Sequence, residues 1–146
     1  MRQLLDVSDR YQTSVIAVER VPSQRIHQYG VIKARPVESR VHQVLDLVEK
    51  PKPGDAPSDL AIIGRYVLPP EIFEILAGTG ADAREIQLTN ALRMLRARRP
   101  VYAVEFEGRP YDTGDKLGFL KATVEFALAR PDLADDFRTN LKSLNL

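Results

Sequence analysis

Glu49 and Lys50 put a carboxylate and an ammonium on consecutive residues, where the hydrophobic run from Val41 to Val48 gives way to Pro51, Pro53 and Gly54. In open α/β sheets ligands bind beyond the strand ends, so the pair stands where a ligand is expected. A carboxylate there can accept two sugar hydroxyls, and a neighbouring ammonium can neutralise a phosphate. The pair suits a phosphorylated sugar; a surface ion pair at a turn is the other reading. Gly30, inside a strand-like pattern, either lets a ligand reach the backbone directly or marks a bulge. In "YDTGDKLGFL" (residues 111–120) Asp112 precedes a glycine-containing turn into a helix. Its carboxylate can meet Mg²⁺ whose remaining positions are filled by phosphate oxygens, or it can simply stabilise the turn. Asp115 reads as the N-cap of the following helix.

The elements that must hold these residues follow from periodicity. Leu4, Leu5, Val7, Ser8 and Tyr11 recur at helical spacing, and "SVIAVERV" (Ser14–Val21) is a β-branched strand. Strands are also expected at "QYGVIKARP" (28–36), "RVHQVLDLVEK" (40–50), "LAIIGRYVL" (60–68) and "PVYAVEFEG" (100–108). Pro69 and Pro70 end one strand and open a helix over "PEIFEILAG" (70–78), with Gly78 as its stop. "REIQLTNALRMLRARR" (84–99) carries Ile86, Leu88, Ala91, Leu92 and Leu95 on one face. Further helices are expected from Lys116 to Ala129 and from Pro131 to about Leu141, the latter with Asp132, Asp135 and Asp136 in its acidic first turn. The class is α/β, a mixed sheet flanked by helices.

Composition narrows the functions. The chain has 146 residues, enough for one globular unit, so residues 1–146 read as a single domain. Its 21 Lys plus Arg nearly balance 20 Asp plus Glu, which leaves no broad basic footprint for nucleic acid or an anionic membrane. It has no cysteine and only two histidines, His27 and His42, expected in separate strands and in plain structural or surface roles, so a zinc enzyme is not expected. No signal peptide or membrane-length apolar run stands out, and a cytoplasmic setting is the default. Arg93, Arg96, Arg98 and Arg99 read as a solvated helix end, and Arg65 and Tyr66 as packing residues near the candidate site.

Taken together, "YGVIKARP", "LDLVEKPKPGDAPSDLAIIGRYVLPPEIFEIL", "REIQLTNALRML", "VYAVEFEGRPYDTGDKLGFLKATVEFAL" and "DLADDFRTNL" resemble the C-terminal half of bacterial UTP–glucose-1-phosphate uridylyltransferases, also called UDP-glucose pyrophosphorylases. The resemblance implies the C-terminal half of a Rossmann-like nucleotide-sugar nucleotidyltransferase fold. It also implies UMP transfer from UTP to glucose 1-phosphate, giving UDP-glucose and pyrophosphate. It assigns sugar binding to Glu49 and to the backbone of Gly30. Lys50 takes the sugar phosphate and is the expected catalytic residue, and Asp112 takes part of the Mg²⁺ shell. Pro51 and Pro53 then stiffen the turn that carries Glu49 and Lys50.

The departures carry expectations of their own. The glycine-rich G-x-G-T-R-type nucleotide loop and the Asp-Asp turn of that family are not in this sequence, so the nucleotide-binding N-terminal half is expected to be absent and the chain alone inactive. Asn90 stands where the family more often has Asp, and no role is assigned to its helix. A non-catalytic sugar-phosphate-binding or oligomerisation module is the alternative function. The strand Ser14–Val21 is expected to have lost its neighbours, leaving an open apolar edge that drives homo-oligomerisation or calls for a companion N-terminal chain.

Overall fold

Strand β1 (Ser14–Arg20) turns Ile16 and Val18 to one face and Val15 and Ala17 to the other, and all four are buried. This is the two-residue alternation of a pleated strand with both faces covered. In the computed structural model, which describes residues 1–79 and 87–144, helices supply both covers. Helix α1 (Arg2–Tyr11) lays Leu4 and Val7 on Val15 and Ala17. Helices α3 (Glu71–Thr79) and α4 (Leu88–Arg98) lay Ile72, Ile75, Leu92 and Leu95 in one cluster with Ile16 and Val18.

Four more strands complete the sheet: β2 (Gly30–Glu38), β3 (Val41–Glu49), β4 (Leu60–Val67) and β5 (Val101–Glu105). A short helix α2 (Ser23–Ile26), absent from the sequence expectation, follows β1, and His27 is its C-cap instead of a strand residue. The expected mixed sheet flanked by helices is found, but it is not an open Rossmann-like sheet. The order β1-β4-β2-β3-β5 closes on itself, with β5 parallel to β1 and the other pairings antiparallel. Closure comes from the β2–β3 hairpin. It turns at Ser39 and Arg40, the latter at φ 64°, and carries register shifts between Lys33 and Ala34 and between Pro36 and Glu38. Such irregularities bend a ribbon, and here the start of β3 reaches β5, pairing Val41, His42 and Gln43 with Val104, Ala103 and Tyr102.

The expected open edge at Ser14–Val21 is therefore corrected. β1 is paired along one side by β4 and along the other by β5. Three smaller expectations also shift. Helix α3 runs through Gly78 to Thr79 instead of stopping at the glycine. Ile86 lies outside the described residues, and α4 begins at Leu88. The last helix, α6, spans Ala134–Ser143 with Asp135 and Asp136 in its first turn, while Asp132 precedes it and pairs with Arg130.

The single-domain expectation does not anticipate a division into two compact units, Met1–Phe106 and Glu107–Leu146. The first contains α1 to α4 and the closed sheet. The second contains α6 and α5 (Lys116–Ala129), with α5 at its expected bounds.

Candidate functional site

Gly30 opens β2 directly opposite Glu49, the last residue of β3. A Cβ built on Gly30 would lie 3.0 Å from Glu49 Oε2 and 3.2 Å from both Thr89 Oγ1 and Ile62 Cδ1. The bulge reading of this glycine fails, because β2 pairs regularly with β3 from Gly30 to Lys33, and the group its missing side chain makes room for is the chain's own carboxylate. In the room so left, Thr89 Oγ1 donates to Glu49 Oε2 at 2.5 Å. Thr89 lies in the first turn of α4, where the helix's free N–H groups and dipole favour a nearby negative charge.

Lys50 follows in the left-handed region at φ 43°, and its backbone N–H donates to Tyr29 O at 3.1 Å. A side chain pays about 1–2 kcal/mol for that conformation, and the following proline restricts the residue further. Among the described residues the Lys50 ammonium has no ion-pair partner and Glu49 bonds to Thr89, so the two are not a surface ion pair. Pro51 is buried, and a turn carrying Gly54 at φ 90°, with Asp55 N–H donating to Lys52 O at 3.0 Å, completes the bend.

Gly30, Glu49, Lys50 and Thr89 line one cleft of about 320 Å³, together with Gln28, Tyr29, Ile62, Gly64, Tyr66, Gln87 and Leu88. Gly64 shapes its β4 side. Ile62 and Tyr66 pair with Val18 and Ile16, so Ile63, Gly64 and Arg65 all fall opposite Ala17, and Gly64 takes φ 72°. The bulge considered at Gly30 is found at Gly64, which the same rule about glycine inside a strand would have flagged. Tyr66 packs against the core as expected, and it also lines the cleft. Burial, with the Glu49 charge adding to it, raises the Tyr66 phenol above its ordinary value, so it stays protonated and able to donate at neutral pH.

Thr89 is the residue that sequence reasoning passed over. Its signal is a polar side chain on the buried stripe of α4, three residues before Leu92, and it is 8% exposed. The arginines of α4 are less idle than expected. Arg93 Nε donates to Asp46 Oδ1 at 2.9 Å, tying α4 to β3, and Arg99 lies 3.6 Å from Glu71. Elsewhere in the first unit His42 is buried, with Nε2 2.6 Å from Glu105 Oε1, and His27 is exposed. No cluster of three metal-ligating side chains exists among the described residues.

Asp112 lies in the second unit, where its Oδ1 accepts from Gly114 N–H at 3.0 Å, the turn-stabilising role. Asp115 caps α5 as expected, accepting from Gly118 N–H at 2.8 Å. A Cβ on Gly118 would lie 2.0 Å from Asp112 O, so this glycine is what lets the loop backbone cross the first turn of α5. Glu125 of α5 holds the loop from its other end, accepting from Arg109 Nη1 at 2.5 Å and from the Tyr111 hydroxyl. The loop that presents Asp112 is thus fixed at both ends.

Set against known proteins, the sequence profile of the nucleotidyl transferase family matches residues 1–127. A UTP–glucose-1-phosphate uridylyltransferase of Staphylococcus epidermidis is 46% identical over 147 residues, covering 100% of this chain and 51% of the relative. That of Staphylococcus haemolyticus is 46% identical over 99% of the chain and 50% of its own length. Among solved structures, a UTP-bound UGPase from Acinetobacter baumannii superposes with a TM-score of 0.84 at 36% identity, over 98% of this chain and 50% of that one. A UDP-glucose pyrophosphorylase complexed with UDP-glucose superposes with a TM-score of 0.79 at 41% identity, over 88% and 49%. The chain spans about half the length of the curated relatives it matches.

Proposed function

The chain belongs to the nucleotidyl transferase family, and we propose that its cleft is the sugar-phosphate end of a uridylyltransferase site acting on UTP and glucose 1-phosphate. Glu49 accepts hydroxyls of the sugar, the Gly30 backbone lies against the ring, and Lys50 neutralises the sugar phosphate. The observation that carries the reading is that a carboxylate and an ammonium with no ion-pair partner among the described residues, adjacent in sequence, open into one cleft of about 320 Å³ beside the N-terminus of α4. The relatives' names and the UDP-glucose and UTP complexes of similar structures support the choice of substrates.

In that reaction an oxygen of the sugar phosphate attacks the α-phosphorus of UTP. A P–O bond forms, the bond to the bridging oxygen breaks, and pyrophosphate leaves with the electron pair. No protein nucleophile is needed; positioning and neutralisation of charge suffice. Lys50 serves both, by holding the attacking phosphate. A divalent cation would add neutralisation of the triphosphate oxygens. Asp112, one carboxylate oxygen of which accepts from Gly114 N–H, would be the residue of this chain to hold such an ion.

In this reading the motifs belong to the C-terminal half of a uridylyltransferase, and the nucleotide is held by a part with a glycine-rich loop. A cytoplasmic setting and assembly with further copies or a companion chain belong to the same reading. Among the described residues no helix is long and apolar enough to cross a membrane.

Calorimetric titration of the chain with glucose 1-phosphate tests the reading, with Lys50→Ala as control. Binding that Lys50→Ala weakens by about tenfold or more, a charge-assisted contact of roughly 1.5–3 kcal/mol, supports it. No binding to the chain overturns it. In a coupled assay the chain alone is expected to form no UDP-glucose from UTP and glucose 1-phosphate, and turnover above the Lys50→Ala background would contradict that expectation.

A further inference from the structure

The geometry points to Thr89 as the positioning residue of this cleft, fixing the Glu49 carboxylate so that Oε1 alone is presented to the sugar hydroxyls. Three observations converge on it. Thr89 is 8% exposed, so its hydroxyl must find a partner inside the protein, and it donates to Glu49 Oε2 at 2.5 Å. Glu49 Oε1 has no hydrogen-bond partner among the described residues, which leaves that oxygen with its acceptor capacity for a ligand. Gly30 keeps this arrangement in place, because a Cβ there would press on both bonded atoms, Glu49 Oε2 at 3.0 Å and Thr89 Oγ1 at 3.2 Å.

The bond is not needed to seat α4 on the sheet. Leu92 and Leu95 are fully buried in the shared core, and Arg93 already ties the helix to Asp46 of β3. What the threonine adds is direction. A glutamate at the end of a strand has three rotatable bonds, and without an anchor it loses rotamer entropy each time a ligand is bound. With the Thr89 bond made beforehand, that cost is met on folding, and the carboxylate waits in one orientation. The anchor acts on the sugar contact and not on the phosphate contact, which belongs to Lys50.

The inference rests on the sugar-phosphate reading of the cleft, and two measurements on the chain separate them. In the first, Thr89→Val and Thr89→Ser are titrated with glucose 1-phosphate and, separately, with inorganic phosphate. Thr89→Val, which keeps the shape and loses the hydroxyl, is expected to weaken glucose 1-phosphate by about tenfold while leaving inorganic phosphate within about twofold; Thr89→Ser restores the sugar phosphate to within about threefold. Unchanged glucose 1-phosphate affinity in Thr89→Val overturns the positioning role. So does an equal loss for both ligands, which is the mark of a general structural defect. The second measurement needs no ligand: the ¹³Cδ resonance of Glu49 should move in Thr89→Val and return in Thr89→Ser. If the unaltered chain binds no glucose 1-phosphate but this pattern is seen, the sugar reading fails and the anchoring of Glu49 stands. If the resonance does not move, the anchoring fails whatever the chain binds.

Discussion

At Lys50 the backbone and the side chain make opposite demands. The φ of 43° is one that glycine adopts freely and lysine adopts at a cost, yet the position holds lysine. Strain kept at a residue that lines a cleft is a mark of function, because the fold alone would be as well served by glycine. Lys50→Gly should therefore leave stability to urea within about 1 kcal/mol of the unaltered chain, since relief of strain offsets the added freedom of the unfolded chain. The same variant should lose phosphate affinity as fully as Lys50→Ala. A large loss of stability in Lys50→Gly would mean that the lysine side chain is a packing element. The sequence could show this residue's charge and its place before a proline. It could not show the left-handed backbone, which depends on the Lys50 N–H reaching Tyr29 O across the hairpin. Thr89 was hidden for a related reason, because its partner is 40 residues away and only the pairing of β2 with β3 beside α4 brings Glu49 to it.

At the scale of elements, the strands were legible because their β-branched residues alternate, and α5 was legible to both ends because Asp115 caps it and Pro131 follows. The pairing of strands was not legible, because it is decided by contacts between residues far apart in the chain. One such contact joins three strand ends. Arg20 of β1 makes two hydrogen bonds of 3.0 Å with the Glu105 carboxylate of β5, His42 of β3 lies 2.6 Å from Glu105 Oε1, and Arg20 also reaches Asp59 just before β4. Burial pushes the Glu105 carboxyl up, but the hydrogen bonds from Arg20 and His42 outweigh it and hold the group below its ordinary range. A carboxyl with a lowered folded-state value stabilises the fold above its unfolded value and stops doing so as pH falls through the folded one. Glu105→Gln, which keeps the acceptor and drops the charge, should cost about 1–2 kcal/mol at pH 7. The gap between the two proteins should narrow below about pH 4.5 and close in stronger acid. A gap that stays constant from pH 7 to pH 3 would show that the charge contributes nothing.

For the whole molecule the informative failure of sequence reasoning is β1. Its four buried apolar residues on two faces identify a central strand, and a central strand separated from part of its sheet would present an open apolar edge. Such an edge rests on the assumption of an open sheet, in which the neighbours of β1 must come from elsewhere. The closed order removes the assumption, because β5, arriving more than 80 residues later, runs parallel to β1 from Ser14↔Val101 to Val18↔Glu105 and takes the side that β4 leaves free. With both ladders made inside one chain, the β1 amides need no second molecule to satisfy them, and self-association through this strand has lost its physical reason. Hydrogen exchange tests the point directly. The amides of Val15 to Val18 should be among the slowest in the chain, with protection that does not change when protein concentration is lowered tenfold, because their partners are intramolecular. Protection that falls on dilution would show that a second copy supplies the bonds assigned here to β5. Fast exchange at every concentration would show that the sheet does not close in solution.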